Sequence, residues 1–222
     1  TTGSNLEFED ATGTLTSSFD SLDLTTAGSF TISTPGVAFQ FSQSYFMFWD
    51  KMEKSNYFLE SILKTTKKPW NSRLIMHLLK NPIQDGGQWD MWVNLINKYG
   101  VVPQSEMPES HSSSKSMRMN RMITRRLREF AQVLREAKST GAKDDELQSK
   151  KTEQLGEVYK MLTILLGQRP QSFNWQLRNK KKEFFRYENL TPQSFYNEHV
   201  GLDLDNYVCL IHCPMSDKLS LI

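Results

Sequence analysis

Few residues in this chain have the types and spacing that chemistry asks for. The two cysteines, Cys209 and Cys213, lie four apart near the C-terminus, with His212 between them. If that apolar stretch is a strand, both thiols face one way and His212 the other, because side chains alternate along a strand. A thiolate–imidazole pair is therefore not expected there. A disulfide between near neighbours on one extended strand is geometrically poor. Two thiols and one imidazole also fall short of the four ligands of a structural zinc site, so neither a metal nor another cofactor is expected. A second feature is Asp85-Gly86-Gly87-Gln88. Paired glycines let a chain turn sharply, and they also let another backbone approach closely. The residue types alone leave both readings open. A third feature is the basic run Lys115, Arg118, Arg121, Arg125, Arg126 and Arg128. Arg125 has Glu129 one helical turn away, the pattern of a solvated helix face, and no aromatic residues are interleaved as a nucleic-acid surface would need. No nucleic-acid partner is expected.

These features must be held by the elements around them. Tyr45, Phe48, Trp49 and Met52 follow the i, i+3, i+4, i+7 spacing of a helix face, in a segment that runs to about Lys64 with Ser42 or Ser44 as its N-cap. A short helix is read over 71–79, ended by Asn81-Pro82. Trp89, Trp92, Val93 and Ile96 repeat the four-point stripe in a helix that the Asp85–Gln88 loop opens, with Gly100 placed for a left-handed cap. Two long helices are expected over 112–138 and 144–166, joined at Ser139-Thr140-Gly141 and packed as a hairpin through Met119, Met122, Ile123, Leu127 and Phe130 on one side. Leu155, Val158, Tyr159, Leu162, Leu165 and Leu166 supply the other side. Thr191-Pro192 starts a further helix, and 207–211 is the best strand candidate. The fold class is α+β, mostly helical.

The chain has 222 residues, enough for one domain with a sizeable core, and 27 basic against 25 acidic side chains. That balance hides an asymmetry. Residues 1–36 contain no Lys or Arg and five acids, so the rest carries 27 basic against 20 acidic groups. Residues 1–36 are rich in Ser, Thr and Gly and poor in large apolar groups, and are expected to be a low-complexity segment, disordered or weakly β. No apolar run is long enough to span a bilayer, and Thr1-Thr2-Gly3-Ser4 does not open a secretory leader. Free thiols point to a reducing, cytoplasmic setting.

Three stretches resemble the bleomycin hydrolase family, the cysteine aminopeptidase branch of the papain superfamily. They are Phe39-Gln40-Phe41-Ser42-Gln43-Ser44-Tyr45-Phe46-Met47-Phe48-Trp49-Asp50-Lys51, then Asp85-Gly86-Gly87-Gln88-Trp89-Asp90-Met91 through Tyr99-Gly100-Val101-Val102-Pro103, then Thr191-Pro192 with Phe195-Tyr196 and Glu198-His199-Val200. The resemblance runs from about 39 to 218, and residues 1–36 stand apart as an unrelated N-terminal segment. It implies a partial papain-like peptidase domain over 37–222, with an inserted helical hairpin over about 112–190. It also implies that Asp85, Gly86, Gly87 and Gln88 line a groove for peptide substrates, bound as an added strand. The family's nucleophile precedes the Phe-Ser-Gln-Ser segment, yet residues 14–36 hold no Cys, no Gln and no Gly-Arg pair. The family's His and Asn come later than any residue here. No catalytic residue is therefore assigned, and the chain is expected to be inactive alone, with the apolar surface of 45–49 partly uncovered. The resemblance further implies a homo-hexamer for an intact enzyme. The alternative is a non-catalytic regulatory variant that joins hexamers of an intact paralogue.

Overall fold

The computed structural model describes residues 21–24, 30–34, 37–179 and 181–207, with side chains described from residue 40 onward apart from Asp205. Cys209, His212, Cys213 and nearly all of the strand expected over 207–211 lie outside these residues. Three short strands come first: β1 (Ser21–Leu24), β2 (Phe30–Thr34) and β3 (Val37–Gln40), paired antiparallel in the order β1-β2-β3. The first two fall within the segment expected to be low-complexity, so its described parts are strands.

Helix α1 (Gln43–Lys64) is the centre of the molecule. Ser42 caps it, its hydroxyl oxygen accepting from the Tyr45 N–H at 3.0 Å. Tyr45, Phe48, Lys51, Ser55, Phe58, Leu59 and Ile62 are its buried large or polar positions, a stripe at helical spacing that includes one lysine. Around α1 pack α2 (Arg73–Lys80), α3 (Trp89–Tyr99), α4 (His111–Ser114), α5 (Met117–Ser139) and α6 (Asp144–Leu166). Phe46, Met47 and Trp49 are half-buried, not open. Trp92 lies 5.6 Å from Phe46, and Tyr99 stacks on Trp49 at 3.7 Å.

The expected helix over 112–138 is broken in two. Ser110 opens α4 with a capping box to Ser113, and Ser114 bonds back to the carbonyls of Ser110 and His111 as the helix ends at Lys115. Serines that compete for nearby backbone groups end helices, and the chain restarts after Ser116. From there α5 and α6 pair as expected, through Met119, Ile123, Leu127, Phe130, Ala131 and Leu134 against Leu147, Val158, Leu162 and Leu166. Met122, assigned to that face, is 45% exposed instead. Arg126 crosses between the two helices to Glu157 at 2.7 Å, and Arg125 pairs with Glu129 at 3.4 Å.

Residues 173–190, counted with the helical insertion, form a β-hairpin instead: β4 (Phe173–Arg178) and β5 (Phe184–Leu190), antiparallel. The alternation Phe173, Trp175, Leu177 against Asn174, Gln176, Arg178 explains it, since one face is apolar. That face meets α7 (Pro192–Phe195) and the turn after it, with Trp175 5.0 Å from Phe195 and 5.3 Å from His199. The capping box of Thr191 and Ser194, with Pro192 at the first helical position, starts α7 where the sequence placed it. Burial lowers the His199 pKa, with Glu198 opposing. Among the described residues, no helix is long and apolar enough to cross a membrane, and no group of His, Cys, Asp and Glu is arranged to hold a metal ion.

Two seams hold the exit of α3, one against the start of α1 and one against α7. Ser42 N–H donates to the Val102 carbonyl at 2.9 Å, and Gln104 N–H to that of Gln40 at 2.8 Å. At the second seam Gly100 takes φ 70° and ψ −161°, a positive-φ conformation open essentially to glycine but outside the left-handed helical cap expected. A Cβ there would stand 2.3 Å from the Pro192 carbonyl carbon and oxygen, and Val101 N–H donates to that same oxygen. Gly100→Ala is expected to cost about 2–4 kcal/mol, from strained backbone and displaced packing together. Urea unfolding of the variant measures it; a loss under about 0.5 kcal/mol, the range of neutral surface changes, would mean the seam gives way easily.

Candidate functional site

The loop between α2 and α3 owes its shape to a buried ammonium. Lys51 stands on the inner face of α1, its side chain 1% exposed. A lysine ammonium has three N–H donors, and three acceptors surround this one: the Ile83 carbonyl at 3.0 Å, the Gln84 carbonyl at 3.3 Å and Asp85 Oδ1 at 2.6 Å. One turn further along α1, Lys54 donates to the Gln84 carbonyl at 2.9 Å, the Gly86 carbonyl at 2.6 Å and Asp50 at 2.8 Å. The backbone from 83 to 86 thus hangs on two lysines of a single helix. Asp85 reaches the other way as well. Its Oδ2 accepts from Ser116 Oγ and Asn120 Nδ2, both at 2.7 Å, at the start of α5.

Desolvation pushes the Asp85 carboxyl up, but the hydrogen bonds from Lys51, Ser116 and Asn120 and the Lys51 charge outweigh it, bringing it down from 3.8 to about 2. A buried charge persists only when it is paired and its donors are satisfied. Lys51 and Asp85 meet that condition together.

The four residues singled out in the sequence sit side by side on the surface. Asp85, Gly86, Gly87 and Gln88 are all exposed. Gly86 has φ +89°, which favours glycine on backbone grounds alone. Gly87 is different. Its φ is not positive, and an added Cβ would meet only Met91 Sδ, at an ordinary 3.7 Å. Folding does not require glycine at 87. Among the described residues, neither its N–H nor its C=O makes a hydrogen bond. Gln88 opens α3 in extended geometry, its carbonyl accepting from Met91 and Trp92, with no side-chain cap. Trp89, on the apolar stripe of α3, is half-buried against Trp92 at 5.2 Å and Tyr207 at 6.4 Å.

Beside the loop, a depression opens between α1 and α3, lined by Glu53, Lys54, Tyr57, Met91, Leu95 and Lys98. Burial raises the Glu53 carboxyl, but hydrogen bonds from Lys98 and Tyr99 reverse the effect and hold it below the usual range. Lys54 and Met91 belong both to this wall and to the loop's surroundings. Lys51, Ser116 and Asn120 were not singled out in the sequence as parts of the site. Lys51 left a trace, because it interrupts the apolar stripe of α1 at a buried position.

Residues 23–220 match the Peptidase C1-like family, a match that starts earlier than the resemblance read from residue 39. Aminopeptidase C of Listeria monocytogenes is 48% identical over 180 residues, which is 81% of this chain and 40% of that protein. Bleomycin hydrolase of Gallus gallus is 42% identical over 180 residues, 79% of this chain and 40% of that protein. The crystal structure of pepw from Lactobacillus rhamnosis HN001 superposes with a TM-score of 0.78 at 45% identity, covering 82% of this chain and 41% of that one. The chain thus spans about 40% of the length of the curated relatives it matches.

The clamp has a pH signature. Because the folded pKa of Asp85 is depressed, its stabilisation is fully present above the unfolded value of 3.8 and is lost as pH falls through about 2. Asp85→Asn is expected to cost about 1–3 kcal/mol at about pH 6, discounted from a fully buried pair because Asp85 is half exposed. Comparing urea unfolding of both forms at about pH 6 and about pH 2.5 should show the difference shrinking at the acid end. A pH-independent difference would mean the carboxylate charge is not what stabilises the loop.

Proposed function

Since the chain belongs to the Peptidase C1-like family, we propose that the Asp85–Gln88 loop is one wall of the peptide groove of a cysteine aminopeptidase. The bound substrate is an extended peptide whose backbone pairs with the N–H and C=O of Gly87, as a strand pairs with a sheet edge. The observation that carries this reading is the exposed, unbonded backbone of Gly87 beside a side-chain contact that would tolerate more than glycine. The depression lined by Tyr57, Met91 and Leu95 gives a neighbouring substrate side chain an apolar place to rest. Within this reading, α5 and α6 are a helical hairpin inserted in a papain-like domain, and the whole acts in a reducing, cytoplasmic setting on peptide N-termini.

The wall is distinct from the chemistry. Amide hydrolysis by thiol attack needs a thiolate, a base within hydrogen-bond reach and donors for the developing oxyanion. The stretch that would carry the nucleophile, 14–36, has no cysteine, so this chain contributes substrate-side structure and no catalytic group. A second reading, a non-catalytic subunit that joins hexameric assemblies of an intact relative, is supported by Met117 and Ile164. These are 84% and 82% exposed, at the same end of the α5–α6 pair.

Two measurements test the primary reading. The chain should release no product from an amino-acid amide, and turnover abolished by a thiol alkylator would contradict the assignment of no catalytic group. Gly87→Val should leave unfolding free energy within about 0.5 kcal/mol of the original. The same change should weaken binding of tetra-alanine amide by an order of magnitude, roughly the loss of one to two hydrogen bonds. Equal peptide affinity in the two forms would remove Gly87 from the groove.

A further inference from the structure

Asp85 divides its carboxylate between two helices, which is more than stabilising the loop requires. Pairing Lys51 takes only Oδ1. The other oxygen is held by Ser116 and Asn120, two residues of the restart after α4. Ser116 stands at the break itself, so its place is fixed by where α5 begins. Asn120 Oδ1 is buried with no partner, while its Nδ2 donates to Asp85. No hydrogen bond of the amide oxygen orients that side chain, and its one recorded hydrogen bond is the one to Asp85.

The carbonyls of 83, 84 and 86 are taken up by lysines of α1. What remains adjustable is the direction in which the Asp85–Gly86 backbone delivers Gly87, and among the described residues of this loop Asp85 alone hydrogen-bonds through its side chain to a second helix. We propose that Asp85, Ser116 and Asn120 are positioning residues for the peptide groove, through which the start of α5 sets the orientation of the Gly87 backbone and so the affinity for substrate. The proposal rests on the groove reading of the preceding subsection. In it the peptide pairs with Gly87, Asp85 belongs to the wall itself, and Ser116 and Asn120 stand behind it without touching the peptide. A shift of α5 along α1 would turn Gly87 away from the bound strand without unfolding anything, since the Lys51 clamp stays closed.

A purely structural role and a positioning role make different demands on the Ser116→Ala/Asn120→Ala double variant. It removes both partners of Oδ2 and keeps the Lys51–Asp85 pair, so the thermal midpoint should fall by no more than a few degrees, less than in Asp85→Asn. The binding of tetra-alanine amide, followed by the shift of the Gly87 amide resonance in the full chain, should weaken on the order of three- to tenfold. Ser116→Thr, which keeps the hydroxyl, should restore part of the loss when combined with the native Asn120. Affinity equal to that of the unsubstituted chain, with the same Gly87 shift, would overturn the positioning role and leave the groove intact. No Gly87 shift in the unsubstituted chain would sink the groove reading itself, and the positioning role with it.

Discussion

A lysine whose charge is almost wholly removed from water is the constraint around which this molecule is arranged. Lys51 lies on the buried stripe of α1, between Phe48 and Ser55, at a position where the sequence pattern asks for an apolar side chain. Taking an ammonium out of water costs several kcal/mol unless its donors are met. Here they are met by two carbonyls and one carboxylate, all from the loop that leads into α3. The requirement runs both ways. The loop's polar backbone needs the lysine's donors, and the buried ammonium needs the loop's acceptors.

Around that clamp the scaffold is fixed by close approach. The Gly100–Pro192 contact holds the exit of α3 against α7, and the pairing of 40–42 with 102–104 ties the start of α1 to that exit. Aromatic packing of Trp92 on Phe46 and Tyr99 on Trp49 fills the space between them. With α1 and α3 held in this way, the loop joining α2 to α3 is defined at its base by lysines and on its far side by Asp85, and Gly87 stands out as a backbone left without partners.

Much of this was legible in the sequence, and the rest was hidden for identifiable reasons. Helix α6 runs over the residues expected, because three acids mark its first turn and Gly167 its end. The capping pattern of Thr191-Pro192 was equally clear. The β4–β5 hairpin was missed because its apolar alternation is short and is followed by the run Lys180-Lys181-Lys182, while what it packs on, Phe195 and His199, arrives later in the chain. The break before α5 was missed because the serines at 112–114 and 116 were read through on periodicity alone. The Gly-Gly loop was visible as a motif, yet its anchoring was not. Lys51, Ser116 and Asn120 are far apart in sequence, and a charged residue in an apolar stripe is easily read as one that reaches solvent.

The clamp is tested most directly by amide hydrogen exchange in Lys51→Met, a substitution of similar length that keeps the apolar stem and removes the charge. The account predicts that amides of 83–88 exchange much faster, while those of α1 and α3 keep their protection. Unchanged exchange across 83–88 would show that the loop holds its form without the buried ammonium, and would contradict the account at its foundation.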